Sequence, residues 1–158
     1  MKDVTYYKDR ARELFKEGYN CSQAVFGAFA EELEISFETA VLISSSFGGG
    51  MGRLREVCGA VSGMFMAAGI AFGTTDITNH KAKSDHYALI QSLASDFREQ
   101  NGSIICRELL GLADKKPDVP IPEKRTEEYY KKRPCAELCA DAAEIFAKRF
   151  IESKVKND

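Results

Sequence analysis

The stretch VCGAVSGMFMAAGIAF, Val57 to Phe72, decides how the rest of the chain is read. It carries no charge and no proline, and its small residues fall four apart at Gly59, Gly63, Ala67 and Ala71. That period places the small side chains on one helix face, where a half-exposed strand would alternate every second residue. Glycine inside a helix costs up to about 1 kcal/mol against alanine, so Gly59 and Gly63 imply something packed closely on that face. The stretch therefore reads as a buried helix. It is shorter than the ~20 residues a membrane-spanning helix needs, so no membrane span is expected.

Helical signals continue on both sides. Upstream, Val4 to Glu17 places Tyr7, Ala11, Leu14 and Phe15 at helical spacing and stops at Gly18. Asn20 is placed to cap a second helix, Cys21 to Leu33, and Ser36 a third, Phe37 to Phe47. The VLIS core of that third segment also reads as a short strand, and periodicity alone does not decide. Gly48-Gly49-Gly50-Met51-Gly52 is a loop that needs unusual backbone angles or close approach. Downstream, a long polar-faced helix is expected from about Thr78 to Gln100, stopped by Asn101-Gly102. Ser103 caps a short helix to Leu110. Thr126 caps another short one, TEEYYKKR, and a final helix runs from Cys135 to about Glu152 with Leu138, Ala142, Ile145, Phe146 and Phe150 as its core stripe. All four prolines lie at or beyond Pro117, and no hairpin signal stands out. The expectation is an all-α, single-domain bundle of about seven or eight helices over residues 1–158, with a proline-containing connector at 112–125.

Composition fits that class. The chain has 158 residues, 44% hydrophobic and 29% charged, with a net charge of −2. No broad basic field invites nucleic acid. The first residues, MKDVTYYKDRARELFKEG, hold no apolar signal-peptide core and no small-residue cleavage site. A cytoplasmic, reducing setting is expected, where clustered cysteines are more often catalytic or metal-binding than structural disulfides.

Five cysteines are present, and Cys21, Cys58, Cys106 and Cys135 fall where helices are expected to begin. A helix start carries free N–H groups and partial positive charge, which favour a thiolate and pull the cysteine pKa down. No C-x-x-C occurs, so neither a zinc ribbon nor a thioredoxin site is signalled, and without C-x-x-C-H no covalent haem is expected. The four cysteines can meet only in the folded chain. Convergence would suit a thiol/disulfide pair, a Zn²⁺ site or an iron–sulfur cluster. The glycine loop with Arg53 and Arg55 can cradle an anion through its backbone N–H groups, but it lacks the Lys-Ser/Thr ending of a nucleotide-binding P-loop. His80 and His86, six apart, do not share a helix face and read as surface residues. Glu123 to Arg133 mixes charges and reads as solvated surface.

Four motifs stand in order: YNCSQAV at 19–25, FGGGMGRLREVCGAVSG at 47–63, CRELLG at 106–111, and Cys135 before the terminal helix. Together they resemble the C_GCAxxG_C_C family of redox-active proteins over nearly the whole chain. The resemblance implies four functional cysteines at Cys21, Cys58, Cys106 and Cys135, and family glycines at Gly59 and Gly63 as cofactor-approach positions. Cys139 looks like an extra, more in keeping with core packing. The family also resembles part of the split-Soret cytochromes c, which implies fold and dimerisation but not haem.

Three functions follow from the residues. One is thiol redox chemistry with an unidentified redox partner, with Cys58 and Cys21 as primary pair and Cys106 and Cys135 as second pair or resolving thiols. A second is a metalloprotein in which the same four thiolates hold an iron–sulfur cluster or Zn²⁺. The third is a non-catalytic helical module whose Gly59, Gly63 and Gly69 pack a homodimer interface.

Overall fold

The computed structural model describes residues 1–112 and 118–157. Within them the chain is all-α, with eight α-helices: α1 Val4–Glu17, α2 Cys21–Ala28, α3 Phe37–Ser44, α4 Gly59–Phe72, α5 His80–Asn101, α6 Cys106–Leu109, α7 Glu127–Lys132 and α8 Cys135–Asn157. A further run of helix-like hydrogen bonds, Gly48–Met51, is a turn, because Gly49 and Gly50 have φ of 69° and 70°. Of the connector expected at 112–125, residues 113–117 lie outside the described residues, and 118–125 form neither helix nor strand.

Local signals set most boundaries. Asp3 accepts from the Tyr6 N–H at the start of α1, and Gly18, at φ 118°, ends it. Asn20 and Gln23 form a reciprocal capping box on α2. Ser36 caps α3, where the helical reading of VLIS holds, and Thr126 caps α7. α2 ends at Ala28 rather than Leu33. Beyond it Phe29 and Ala30 bond back to Phe26 and Gly27, a tighter i→i−3 turn, and Glu34 turns left-handed at φ 57°. α3 likewise tightens into a 3₁₀ turn at Ser45–Phe47. α8 runs on to Asn157, one further turn past the expected end.

α2 is the centre of the bundle. Seven of its eight residues are buried, from Cys21 to Ala28 with Gln23 excepted. It packs on α1, α3, α4 and α8, and α1 lies along α8. The expected stripe of α8 is buried throughout. Tyr7 stacks on Phe29 with ring centroids 4.5 Å apart, and Phe146 meets Phe29 edge-on at 4.7 Å, which locks α1, α8 and the end of α2 together. α5 buries only Leu93, Ala94 and Phe97, all in its second half. His86 on α5 is half-buried, with an unpartnered Nδ1, rather than a plain surface residue. No helix among the described residues is long and apolar enough to cross a membrane.

Gly59 and Gly63 hold α4 against α2. A Cβ on Gly63 would lie 2.7 Å from the Ser22 carbonyl oxygen, and one on Gly59 would lie 2.9 Å from the Phe47 carbonyl oxygen and 3.0 Å from Cys21 Cβ. Helix α4 can reach α2 this closely only without side chains at those two positions. Gly63 is therefore filled by the chain itself, not by a cofactor. Nor are Gly59 and Gly63 free to pack a second copy.

Candidate functional site: a cysteine-lined cavity

All four predicted cysteines sit at helix starts. Cys21, Cys106 and Cys135 are the first residues of α2, α6 and α8, and Cys58 is the N-cap of α4. They line one cavity of about 190 Å³. Each is buried, with exposures of 9% for Cys21, 4% for Cys58, 7% for Cys106 and 9% for Cys135. All five cysteines are free thiols.

Two different constructions bring them there. Cys21 and Cys135 come from helices packed against each other. The Cys21 thiol is electrostatically coupled to the thiols of Cys135 and Cys139. Cys139 is one turn further along α8, fully buried, and 3.7 Å from the Cys21 carbonyl oxygen. It does not line the cavity. Of the two late cysteines, Cys135 alone faces the space where a ligand could sit. Both Cys58 and Cys135 stand near Cys21: a Cβ on Gly59, the residue after Cys58, would lie 3.0 Å from Cys21 Cβ, and Cys135 is the thiol most strongly coupled to Cys21.

Cys58 and Cys106 are brought together by an isolated antiparallel bridge between Val57 and Ile105. The Cys58 N–H donates to Ile104 O at 2.8 Å and the Cys106 N–H to Glu56 O at 2.6 Å. One residue past the bridge on each strand, both side chains project from the same face, toward the cavity. Such diagonal neighbours lie ~7–8 Å apart, at or beyond the limit for a direct disulfide.

The loop before Cys58 supports the second pair. Non-glycine residues Met51, Arg53 and Arg55 all have left-handed φ, at 67°, 66° and 62°. Such angles are strained for residues with side chains and persist only where surrounding structure holds them. Gly50, at φ 70°, seats the loop on Cys106: a Cβ there would lie 2.6 Å from Cys106 Cβ. The N–H groups of Arg53, Arg55 and Glu56 bond to carbonyls of Gly48, Gly49 and Gly50. Those three N–H groups are thus occupied within the loop. The loop delivers the Arg55 side chain, which donates from Nη1 to Cys106 Sγ at 3.6 Å and pairs with Asp118 at 2.8 Å.

Electrostatics overturn one expectation. The helix-start effect exists, since the N–H groups of Ala60 and Val61 favour the Cys58 thiolate, yet burial outweighs them and pushes Cys58 up to about 12. Burial raises Cys106 as well, against the lowering pull of Arg55. For Cys21, Cys135 pulls downward, but the neighbouring Cys139 and burial carry the thiol well above its ordinary value. Cys135 is raised by the neighbouring Cys21 and by burial. Magnitudes explain the outcome. A helix terminus contributes about 0.3–1 kcal/mol, under one pKa unit, while full burial shifts a group by up to ~3–5 units. The reduced site holds neutral thiols at neutral pH.

A metal would need several of these side chains to converge on one point. Among the described residues no group of three His, Cys, Asp or Glu is placed to hold a metal ion. The thiols are instead arranged around a space, two from the helix pair and two from the bridge.

The sequence model described as "Putative redox-active protein (C_GCAxxG_C_C)" matches residues 19–149. The chain belongs to this family. The match spans all four cysteines of the cavity. This C_GCAxxG_C_C protein is also 29% identical over 154 residues to an uncharacterized protein of Archaeoglobus fulgidus, covering 92% of this chain and 93% of that one. No solved structure matches.

Sequence reasoning missed the aromatic and basic wall of the cavity. Phe15, Tyr129, Arg125 and Arg133 line it beside the cysteines. Arg125 and Arg133 fall within the stretch read as solvated surface. Their signal was faint: Arg125 stands between the prolines of the connector and the Thr126 cap, where a chain often turns back onto its own fold.

Proposed function

We propose that this protein cycles Cys21 and Cys135 between dithiol and disulfide, exchanging two electrons with a disulfide-bearing compound. The reading rests on Cys21 and Cys135 lining one cavity from the starts of two helices packed together. Cys135 attacks first, from the cavity lining beside Arg125 and Arg133; their charges favour its thiolate but do not outweigh burial and the neighbouring Cys21, so the attacking form is a minor population at neutral pH and the attack quickens as pH rises. Its sulfur bonds to one sulfur of R–S–S–R, that S–S bond breaks, and the other half leaves as RSH with the proton Cys135 gave up. Cys21 then attacks the mixed disulfide at Cys135. The Cys21–Cys135 bond forms, and the second RSH leaves with the proton of Cys21. Two protein thiols are oxidised and one external disulfide is reduced to two thiols. Cys106, beside Arg55, is a further thiol facing the same compound.

The test is oxidation of the reduced protein with bis(hydroxyethyl) disulfide, followed by thiol titration and peptide mass mapping. Two thiols should disappear and return with dithiothreitol, with a cross-linked peptide joining Cys21 to Cys135 and absent from Cys135→Ser. An unchanged thiol count would remove the reading. Stoichiometric iron or zinc in anaerobically purified protein, lost on Cys58→Ser, would replace it with the metal reading.

A further inference from the structure

Whatever meets these thiols must be small. At 4–9% exposure, Cys21, Cys58, Cys106 and Cys135 are out of reach of a disulfide on the surface of a folded protein. The cavity, about 190 Å³, is also below the ~300–1,000 Å³ of pockets that enclose drug-sized ligands.

The charge of the lining narrows the class further. Among the described residues its charged side chains are Arg53, Arg55, Arg125, Arg133 and Glu123. Glu123 is taken by Arg133 at 2.5 Å. Asp118 is shared by Arg53 at 3.1 Å and Arg55 at 2.8 Å. Four guanidinium groups thus face two carboxylates. Arg125 is the one with no carboxylate partner among the described residues. Its terminal nitrogens donate to the main-chain carbonyls of Phe15 and Tyr19 at 2.8 and 3.1 Å, and its carbon lies 4.0 Å from the Phe15 ring centroid. Those contacts fix the guanidinium without neutralising it. A second, independent observation comes from Arg55. It is only 5% exposed, it lines the cavity, and its Nε has no hydrogen-bond partner. A buried N–H of a charged group left unpaired costs about 1–3 kcal/mol or more, so such groups normally have a partner.

We propose that the cavity is a binding site for a small carboxylate-bearing disulfide, its carboxylate received by Arg125 and Arg55 and its S–S bond turned toward Cys135. The disulfide half of this proposal rests on the thiol-exchange reading above; the anion half does not. The redox step is the one already balanced, with the carboxylate-bearing disulfide as R–S–S–R and two molecules of the corresponding thiol as products.

The experiment compares three disulfides of similar size as oxidants of the reduced protein: dithiodiglycolate, neutral bis(hydroxyethyl) disulfide and cationic cystamine. Dithiodiglycolate should oxidise the protein roughly tenfold faster than the neutral compound, with cystamine slowest and the preference shrinking as salt is added. Arg125→Gln should abolish the preference and Arg125→Lys should keep part of it. Because Arg125 also holds the end of α1, the wild-type salt series stands on its own should Arg125→Gln fail to fold. In parallel, adipate, a dicarboxylate without sulfur, should slow iodoacetamide labelling of the reduced protein where hexanediol does not. Equal rates for the three disulfides together with no protection by adipate would overturn the proposal. Protection by adipate with no oxidation by any disulfide would retain the anion site and remove thiol exchange. Neither oxidation nor protection would remove both.

Discussion

The two walls of the cavity are built by opposite means. On one wall, Cys21 and Cys135 are first residues of α2 and α8, and ordinary helix packing brings them to the same cavity. On the other, Cys58 and Cys106 depend on one isolated bridge, Val57 with Ile105, and on a loop with three non-glycine residues at left-handed angles. The helical wall rests on many small contacts spread along whole elements. The loop wall rests on a few backbone hydrogen bonds and one buried arginine. Strain of about 1–3 kcal/mol per unusual residue persists only where the surroundings over-determine it, and such strain is commonly found at functional sites. The contrast suggests a rigid pair, Cys21 with Cys135, facing a wall whose position is set by a strained loop.

The largest expected effect tests the rigid side. Gly63→Ala places a Cβ 2.7 Å from the Ser22 carbonyl oxygen, backbone against backbone. Neither helix can give locally, so α4 must move off α2. Urea unfolding should show a loss of about 3 kcal/mol, at the upper end of ordinary overpacking. A loss under ~1 kcal/mol would mean that the α2–α4 seam is not rigid, and the distinction between the two walls would fall.

The same contrast explains what could be read from the sequence. Caps at Asn20, Ser36 and Thr126, the stop at Gly18 and the stripe from Leu138 to Phe150 are local signals, and each stands where expected. The small-residue spacing of Gly59 and Gly63 correctly announced a close neighbour, though not that it was α2. The helix starts placed all four cysteines on the cavity. What was not legible was non-local. The Val57–Ile105 bridge joins residues with no mutual sequence signal, and the approach of Arg125 to the end of α1 crosses most of the chain. The direction of the thiol shifts was missed for the same reason. A helix start can be read locally, but burial depends on everything packed around it.

The next effect sharpens the electrostatic side of the comparison. Cys58 has an ordinary value of 9.0 and is pushed up to about 12 in the fold. Below about pH 9 both folded and unfolded chains keep the proton, so the neutral thiol carries no penalty. Between about 9 and 12 the unfolded chain loses it while the folded chain holds it, so stability falls as pH rises. Each such group adds a slope of up to about 1.4 kcal/mol per pH unit. Replacing Cys58 with alanine should make the fall between pH 9 and 11 shallower by roughly 1 kcal/mol per unit, as seen in urea midpoints across that range. An unchanged slope would show that Cys58 ionises as freely in the fold as out of it.

A smaller effect separates the two late cysteines. Cys139 is fully buried and lies outside the cavity lining. Cys139→Ala should cost about 1 kcal/mol through lost packing, comparable to deleting one buried methylene. It should leave the Cys21–Cys135 cross-link intact in peptide maps. Loss of that cross-link, with the variant still folded, would transfer the role of Cys135 to Cys139.

The smallest effect runs the other way and isolates geometry from composition. Gly69 belongs to the same helix as Gly59 and Gly63, and sequence alone grouped the three as one packing face. A Cβ on Gly69 meets nothing within 4 Å, and its φ is not in the left-handed region. Alanine there adds no clash and removes backbone freedom from the unfolded chain, so Gly69→Ala should stabilise the protein by about 0.5–1 kcal/mol in the same urea assay. One substitution, made at two glycines six residues apart on one helix, should therefore change sign. Should Gly69→Ala destabilise instead, the exposed face of α4 is covered in solution, and sedimentation of the wild-type protein would then show a second copy seated on it.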